Sequence, residues 1–199
     1  MEGEWSRFLE IIRGTSFKAA PEPVFRLASG RLSRYYVDCK QALSYPEARA
    51  LLGKLIFEQI KGRQFDAIGG LEIGAYPIAT AVSDAIYQRT GASVRVFVVR
   101  KEAKDHGVGK MLAGDAKAGD RTLIVDDVIT SGKSTIDALE RARQAGLNVT
   151  HVMVLVDRQE DRGKANIEAH GVSCASLFTL PDLINAAAAV REPATVRSE

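Results

Sequence analysis

Three short apolar runs constrain this chain more than any other feature. Val94–Val99, residues 122–126 and Val149–Val156 are nearly continuous in hydrophobic residues, with few polar interruptions. An alternating strand keeps one face in water, whereas a continuous run must be buried on both faces, as in a parallel sheet covered by helices. Helical patterns stand between the runs. Ala75, Ile78, Ala79, Val82 and Ile86 recur at helical spacing, as do Ile136, Leu139 and Ala142. Asp137 and Arg141 are placed to pair along the outer side of the second of these helices. Further strands are predicted at 66–69 and 173–178, and further helices at 4–13, 46–61, 161–170 and 181–190. The alternation predicts a doubly wound, mainly parallel α/β sheet flanked by helices, with a ligand site beyond the carboxyl ends of the strands. Two more strands, 23–28 and 34–39, surround the turn Ser29-Gly30-Arg31 and fall outside the alternation. They are expected to form a small N-terminal hood over that site.

The chain has 199 residues, enough for one substantial domain. Residues 1–45 are expected to contribute the hood and 191–199 to form a frayed polar tail, with no linker or repeat between. The net charge of +2 gives no global case for nucleic acid, so any basic chemistry must be local. No apolar stretch approaches membrane-spanning length, and the acidic start Met1-Glu-Gly-Glu-Trp5 is unlike a signal peptide. Cys39 and Cys174 are far apart and lack metal-ligand spacing. A reduced cytoplasmic protein is therefore expected, with a Cys39–Cys174 disulfide the lesser reading.

The unusual residues all follow strand ends. The run at 122–126 ends in Asp126 and Asp127, and Val128-Ile-Thr-Ser-Gly-Lys-Ser-Thr135 follows. Paired acids beside a turn that presents backbone N–H groups suit a ligand with hydroxyls or a metal on one side and a phosphate on the other. A phosphorylated sugar is such a ligand. Gly132-Lys133-Ser134-Thr135 looks like the end of a Walker A loop, but Asp127 stands where that loop needs its first glycine, and its carboxylate would repel a β-phosphate. A plain helix cap explains one acid or hydroxyl, not two adjacent acids after a buried strand. After the strand at 66–69 comes Gly69-Gly70-Leu-Glu-Ile-Gly74, a weak signal alone. After the run at 94–99 comes a long basic segment with Arg100, Lys101, Lys104, His106 and Lys110, hinged by Gly107, Gly109 and Gly114. Cations on a closing lid stabilise a departing diphosphate. After the run at 149–156, Arg158 is placed to grip a planar carboxylate. His151 and His170 are read as structural.

The acid-pair stretch resembles the 5-phosphoribosyl-1-diphosphate (PRPP) motif of the type I phosphoribosyltransferases. The ordered set Ser29-Gly30-Arg31, Arg100-Lys-Glu-Ala-Lys-Asp-His-Gly107, Val125-Asp-Asp-Val-Ile-Thr-Ser-Gly132 and Asp157-Arg-Gln-Glu160 narrows it, for it is similar to the orotate phosphoribosyltransferases. Adenine, hypoxanthine and uracil transferases carry the acid pair without the second and fourth blocks. The resemblance implies the type I fold and transfer of the phosphoribosyl group from PRPP to orotate in pyrimidine synthesis, with Mg²⁺. It places Asp126 and Asp127 at the ribose hydroxyls, with Mg²⁺ held by PRPP and water nearby and no direct protein ligand. It places Val128, Ile129, Thr130, Ser131, Gly132, Lys133 and Ser134, with Thr135, around the 5′-phosphate. Arg100, Lys101, Lys104 and His106 meet the diphosphate, with Lys104 and His106 the groups of greatest catalytic effect. Thr130, Arg158, Tyr35 and Tyr36 meet orotate. It further implies a homodimer in which the basic lid is shared between subunits. The chain departs from the family at Ala28 and Gly74, where many relatives have lysine, and at Lys133, where small residues are commoner. Two other readings compete: a non-catalytic PRPP or nucleotide sensor on the same fold, which would want a basic nucleic-acid surface, and a purine-type transferase, whose bases offer Arg158 no carboxylate.

Overall fold

The structure, a computed structural model, describes residues 2–27, 30–101 and 111–189. Residues 102–110 of the basic segment, Lys104 and His106 among them, lie outside the described residues, as do Ala28, Ser29 and the tail expected at 191–199.

The chain opens with α1 (Glu2–Ser16), β1 (Phe17–Ala19), β2 (Phe25–Arg26), β3 (Leu32–Ser33), β4 (Tyr35–Val37), α2 (Cys39–Leu43) and α3 (Pro46–Ile60). The alternating part follows: β5 (Ala67–Leu71), α4 (Ala75–Thr90), β6 (Arg95–Val99), β7 (Leu112–Gly114), β8 (Arg121–Ile129), α5 (Lys133–Gln144), β9 (Asn148–Asp157), α6 (Gly163–Glu168), β10 (Ser173–Thr179) and α7 (Leu180–Ala189). The main sheet has the order β10-β9-β8-β5-β6-β7, parallel throughout except for the antiparallel edge strand β7.

The apolar runs are buried on both faces, as their composition requires. Along β8, Leu123 and Val125 enter one core cluster with α1, α3 and α4, while Ile124 enters the other with α5 and α6. Along β9, Met153 and Leu155 face the first cluster, and Val152 and Val154 the second. Each such side chain contributes about 1.5–3 kcal/mol by leaving water. Cys39 and Cys174 are both free and buried, one in each cluster, so no disulfide joins them. Among the described residues no helix is long and apolar enough to cross a membrane.

The N-terminal pairing differs from the expectation of two strands around one turn. Phe25–Arg26 pairs only with Leu32–Ser33, and Pro21 and Pro23 shorten the arm before it. The rest of the second arm, Tyr35–Val37, pairs instead with Phe17–Ala19. The predicted strand stops before residue 39 because the Asp38 side chain accepts a hydrogen bond from the Lys40 N–H at 3.3 Å and caps α2. The first helix is longer than predicted and belongs to the core. Phe8 and Ile12 are fully buried, and the Trp5 ring stands 5.0 Å from that of Phe178.

After β5 the chain builds β6 on one side and β8 on the other. The sheet therefore changes winding direction between β5 and β8, and a crevice opens beyond their carboxyl ends.

Candidate active site

β8 delivers both acids to this crevice, but they face different neighbours. Asp126 is 6 % exposed. Its Oδ2 accepts from the Thr135 hydroxyl at 2.6 Å and the Ser134 hydroxyl at 3.2 Å, and its Oδ1 accepts from the Asp127 N–H at 2.9 Å. Burial pushes the Asp126 carboxyl well above the usual carboxylate range, the Asp127 charge adds to this, and the hydroxyls partly oppose it. Asp127 is half-buried. Its Oδ1 accepts from the Val128 N–H at 2.9 Å, and its Oδ2 lies 3.5 Å from the Lys40 ammonium. Thr135 is fully buried and its hydroxyl is committed to Asp126, so it supports the acid instead of serving the phosphate loop as the sequence suggested.

The raised Asp126 carboxyl has a stability consequence with a definite sign. The folded chain holds a proton there that the unfolded chain releases, so this site's stabilisation is full at acid pH and is lost as pH rises through the folded value. An asparagine at 126 mimics the protonated acid, because its carbonyl can accept from Asp127 while its amide donates to the hydroxyls. Urea midpoints of the ligand-free protein should therefore fall between about pH 4 and pH 8 relative to those of Asp126→Asn.

The turn Thr130–Gly132 joins β8 to α5. Gly132 has φ of 79°, which a glycine adopts without strain, and it caps α5. The turn is seated on the start of α6. A Cβ at Gly163 would come within 2.3 Å of the Thr130 carbonyl oxygen, and the Asn166 side chain donates to the Ser131 carbonyl at 3.0 Å. Gly163→Ala should thus lift the turn and lower Tm by about 5 °C or more in a calorimetric scan.

A cavity of about 430 Å³ lies over the turn, lined by Thr130, Ser131, Gly132, Lys133 and Ser134 with Lys101 and Arg141. Backbone donors at the start of a helix together with Lys101, Lys133 and Arg141 favour an anion there, with Asp137 the one carboxylate among the described lining residues. Arg141 does not pair with Asp137 as the helical spacing suggested. Its guanidinium donates to the carbonyl oxygens of Arg100 at 2.5 Å and Lys101 at 3.1 Å. The Lys101 N–H donates to Glu72 Oε1 at 2.7 Å, and the Arg100 N–H donates to the Met111 carbonyl at 2.9 Å. The described ends of the basic segment are thus fixed at the crevice. Ile129 turns its side chain into the core, so its part in the turn is confined to its backbone.

Arg158 lies where β9 ends and is 4 % exposed. It donates through Nη2 to the Ser33 hydroxyl at 3.1 Å and Glu160 Oε1 at 3.2 Å, with longer bonds to the Tyr35 carbonyl at 3.4 Å. Glu160 also accepts from Arg31 at 3.0 Å, and Arg31 reaches Asp161 at 2.8 Å. These bonds tie β3 and β4 to the loop after β9. In that loop Gln159, Asp161 and Arg162 all have positive φ, a costly arrangement for side-chain residues, which these ties hold in place. Tyr35 meets Arg158 through its backbone carbonyl while its ring stacks on Phe17 at 5.9 Å; Tyr36 stacks on Phe25 at 5.7 Å.

The structure thus gathers Asp126, Asp127, the 128–134 turn, Lys101 and Arg158 around one end of the sheet. His151, beside Arg63 and edge-on to Phe65, and His170, against the Asn166 carbonyl, lie elsewhere and serve local packing. Sequence reasoning missed Ser33, Lys40, Glu72 and the role of Arg141. Ser33 and Lys40 act on partners 125 and 87 residues away and left no local signal. Arg141 could have been suspected as a cation about two helical turns beyond the phosphate turn. Among the described residues no group of three or more potential ligands could cage a metal. The adjacent acids suit a hard cation that takes most of its oxygens from a substrate and water.

The comparisons identify the family and the fold. The phosphoribosyl transferase domain family matches residues 40–187. An orotate phosphoribosyltransferase of Aquifex aeolicus is 42% identical over 181 residues, 91% of this chain and 98% of the relative. The crystal structure of the Mycobacterium tuberculosis orotate phosphoribosyltransferase with Fe(III) dicitrate superposes with a TM-score of 0.77 at 34% identity, over 90% of this chain and 98% of that one. The same enzyme with PRPP gives 0.72 at 29% identity, over 91% and 92%.

Proposed function

The chain belongs to the orotate phosphoribosyltransferases of the phosphoribosyl transferase domain family, and from that premise we infer how its crevice carries out the reaction. The enzyme transfers the 5-phosphoribosyl group of PRPP to orotate, giving orotidine 5′-monophosphate and diphosphate for pyrimidine synthesis. The observation that carries the reading is the convergence on one sheet end of the paired acids, the anion-binding turn and a buried arginine beneath the N-terminal strands.

In this reading Asp127, backed by Asp126, receives the ribose hydroxyls. The turn Val128 to Ser134 receives the 5′-phosphate, with Lys133 adding charge at its rim. Arg100 and Lys101, with Lys104 and His106 from the basic segment, meet the diphosphate. Arg158 and Thr130 meet orotate, while Tyr35 and Tyr36 shape the hood above it. The bond from the anomeric carbon to the diphosphate oxygen breaks as the bond to the orotate nitrogen forms, through an oxocarbenium-like state, and the proton of that nitrogen is released to water. No covalent nucleophile is needed, because positioning and fixed charge lower the barrier. Mg²⁺, bound by PRPP oxygens and water beside the two acids, would neutralise charge on the diphosphate. The reading also includes one domain with a hood from residues 1–45, a cytoplasmic setting, and a homodimer whose basic lids cross between subunits.

Acceptor choice tests the assignment of Arg158. Orotate and uracil differ by the carboxylate, and a site built around a buried guanidinium should prefer orotate by at least about a hundredfold in kcat/KM. Product mass spectrometry after incubation with PRPP, Mg²⁺ and each base measures this. Equal transfer to uracil would remove Arg158 from the acceptor site, and transfer to adenine alone would replace orotate as the acceptor.

A further inference from the structure

Lys40 stands apart from the residues that motif matching brings to the site. It lies in α2, and its ammonium is 2.7 Å from Asp38 Oδ1 and 3.5 Å from Asp127 Oδ2. Among the described residues it is the one cation within ion-pairing distance of either acid of the pair. Gly74 packs close against the same carboxylate, for a Cβ there would lie 2.8 Å from the Asp127 Cγ. The carboxylate therefore rests on Gly74 with Lys40 as its charged neighbour.

The position of Lys40 is fixed from below. Cys39 and Ala42 are fully buried on either side of it, the Ala42 N–H donates to the Ser16 hydroxyl at 3.0 Å, and Asp38 caps the helix. Its side chain is half exposed at 48%. An ion pair this open to water adds little to folding. Its consequence falls on the crevice, where Asp127 is the acid that an incoming polyanion meets.

We propose that Lys40 is a positioning residue for the phosphoribosyl donor, aligning Asp127 and offsetting its charge as PRPP enters. It acts through Asp127 and not on the reacting atoms. The inference rests on the transferase reading given above.

The test compares wild type, Lys40→Met and Lys40→Arg by calorimetric titration with PRPP, by separate KM values for PRPP and orotate, and by Tm. Lys40→Met should weaken PRPP binding and raise its KM about tenfold, the effect of losing about 1.4 kcal/mol of charge-assisted interaction. The orotate KM and Tm should hardly move, and Lys40→Arg should restore most of the loss. Unchanged PRPP affinity in Lys40→Met overturns the proposal. So does an equal loss for both substrates with a lowered Tm, which would mark a scaffolding role. If wild type binds PRPP but does not consume orotate, the transferase reading fails and the titrations still judge Lys40. If wild type binds no PRPP, both fail.

Discussion

Arg158→Ala should lower kcat/KM for orotate by about a hundredfold or more while leaving PRPP affinity nearly unchanged. The guanidinium is buried and held in one plane by Ser33, the Tyr35 carbonyl and Glu160. A fork fixed in this way can meet a planar carboxylate without first ordering itself, so its contribution is specific to the acceptor. Truncation also removes one of the two arginines that share Glu160, leaving Arg31 alone. A stability loss of about 1–3 kcal/mol should accompany the kinetic one. Arg158→Lys separates the two effects, since it keeps a charge near Glu160 but loses the planar fork. It should recover much of the Tm and little of the orotate kcat/KM. Steady-state kinetics with each substrate varied in turn provides the check, and an unchanged orotate KM in Arg158→Ala would remove this residue from the acceptor site.

Lys104→Ala is expected to reduce kcat by about 10²–10³, with a smaller change in the KM for PRPP. Arg100 and Lys101 are pinned at the crevice by Arg141, Glu72 and Met111, and the role proposed for the cations that follow them in sequence is to meet charge that develops as diphosphate departs. Such a group acts in the transition state more than in the ground state, hence the weight on kcat. If the lid crosses between subunits, Lys104→Ala and Asp127→Asn damage different halves of each composite site. Mixing the two variants in equal amounts should then regain up to about a quarter of wild-type activity, because half the dimers are hybrids with one intact site in two. Turnover of Lys104→Ala equal to wild type at saturating substrate would remove the lid assignment. Absence of regain on mixing would confine the lid to its own subunit.

The parallel strands were legible because burial on both faces leaves a composition that local reading detects, as at residues 122–126 and 149–156. Their ends were less so: β8 runs on to Ile129, through the acid pair, since Asp126 and Val128 still pair with β9. The N-terminal pairs were not legible. Strands of two or three residues, such as Phe25–Arg26 and Tyr35–Val37, are too short to carry a period, and the Ser29-Gly30-Arg31 turn signals the pairing of β2 with β3 but not that of Tyr35 with Ala19. Helix α2 was not predicted; it shares only Cys39 with the predicted strand 34–39, and its origin is one side-chain cap from Asp38. The acid pair and Arg158 were legible as strand-end anomalies. Much of what holds them was not, because Lys40 and Ser33 reach them by tertiary geometry and Thr135 comes back to Asp126 across the turn. The Asp137–Arg141 pairing suggested by helical spacing gave way to two backbone carbonyls, which hold Arg141 across the crevice.

The most direct test is the near-ultraviolet absorbance of orotate in the presence of purified protein, PRPP and Mg²⁺. A steady loss of absorbance that requires PRPP, stops when Mg²⁺ is chelated and yields orotidine 5′-monophosphate is the predicted result. A constant absorbance with PRPP still bound in calorimetry would contradict it and leave a PRPP-binding protein with another acceptor or none.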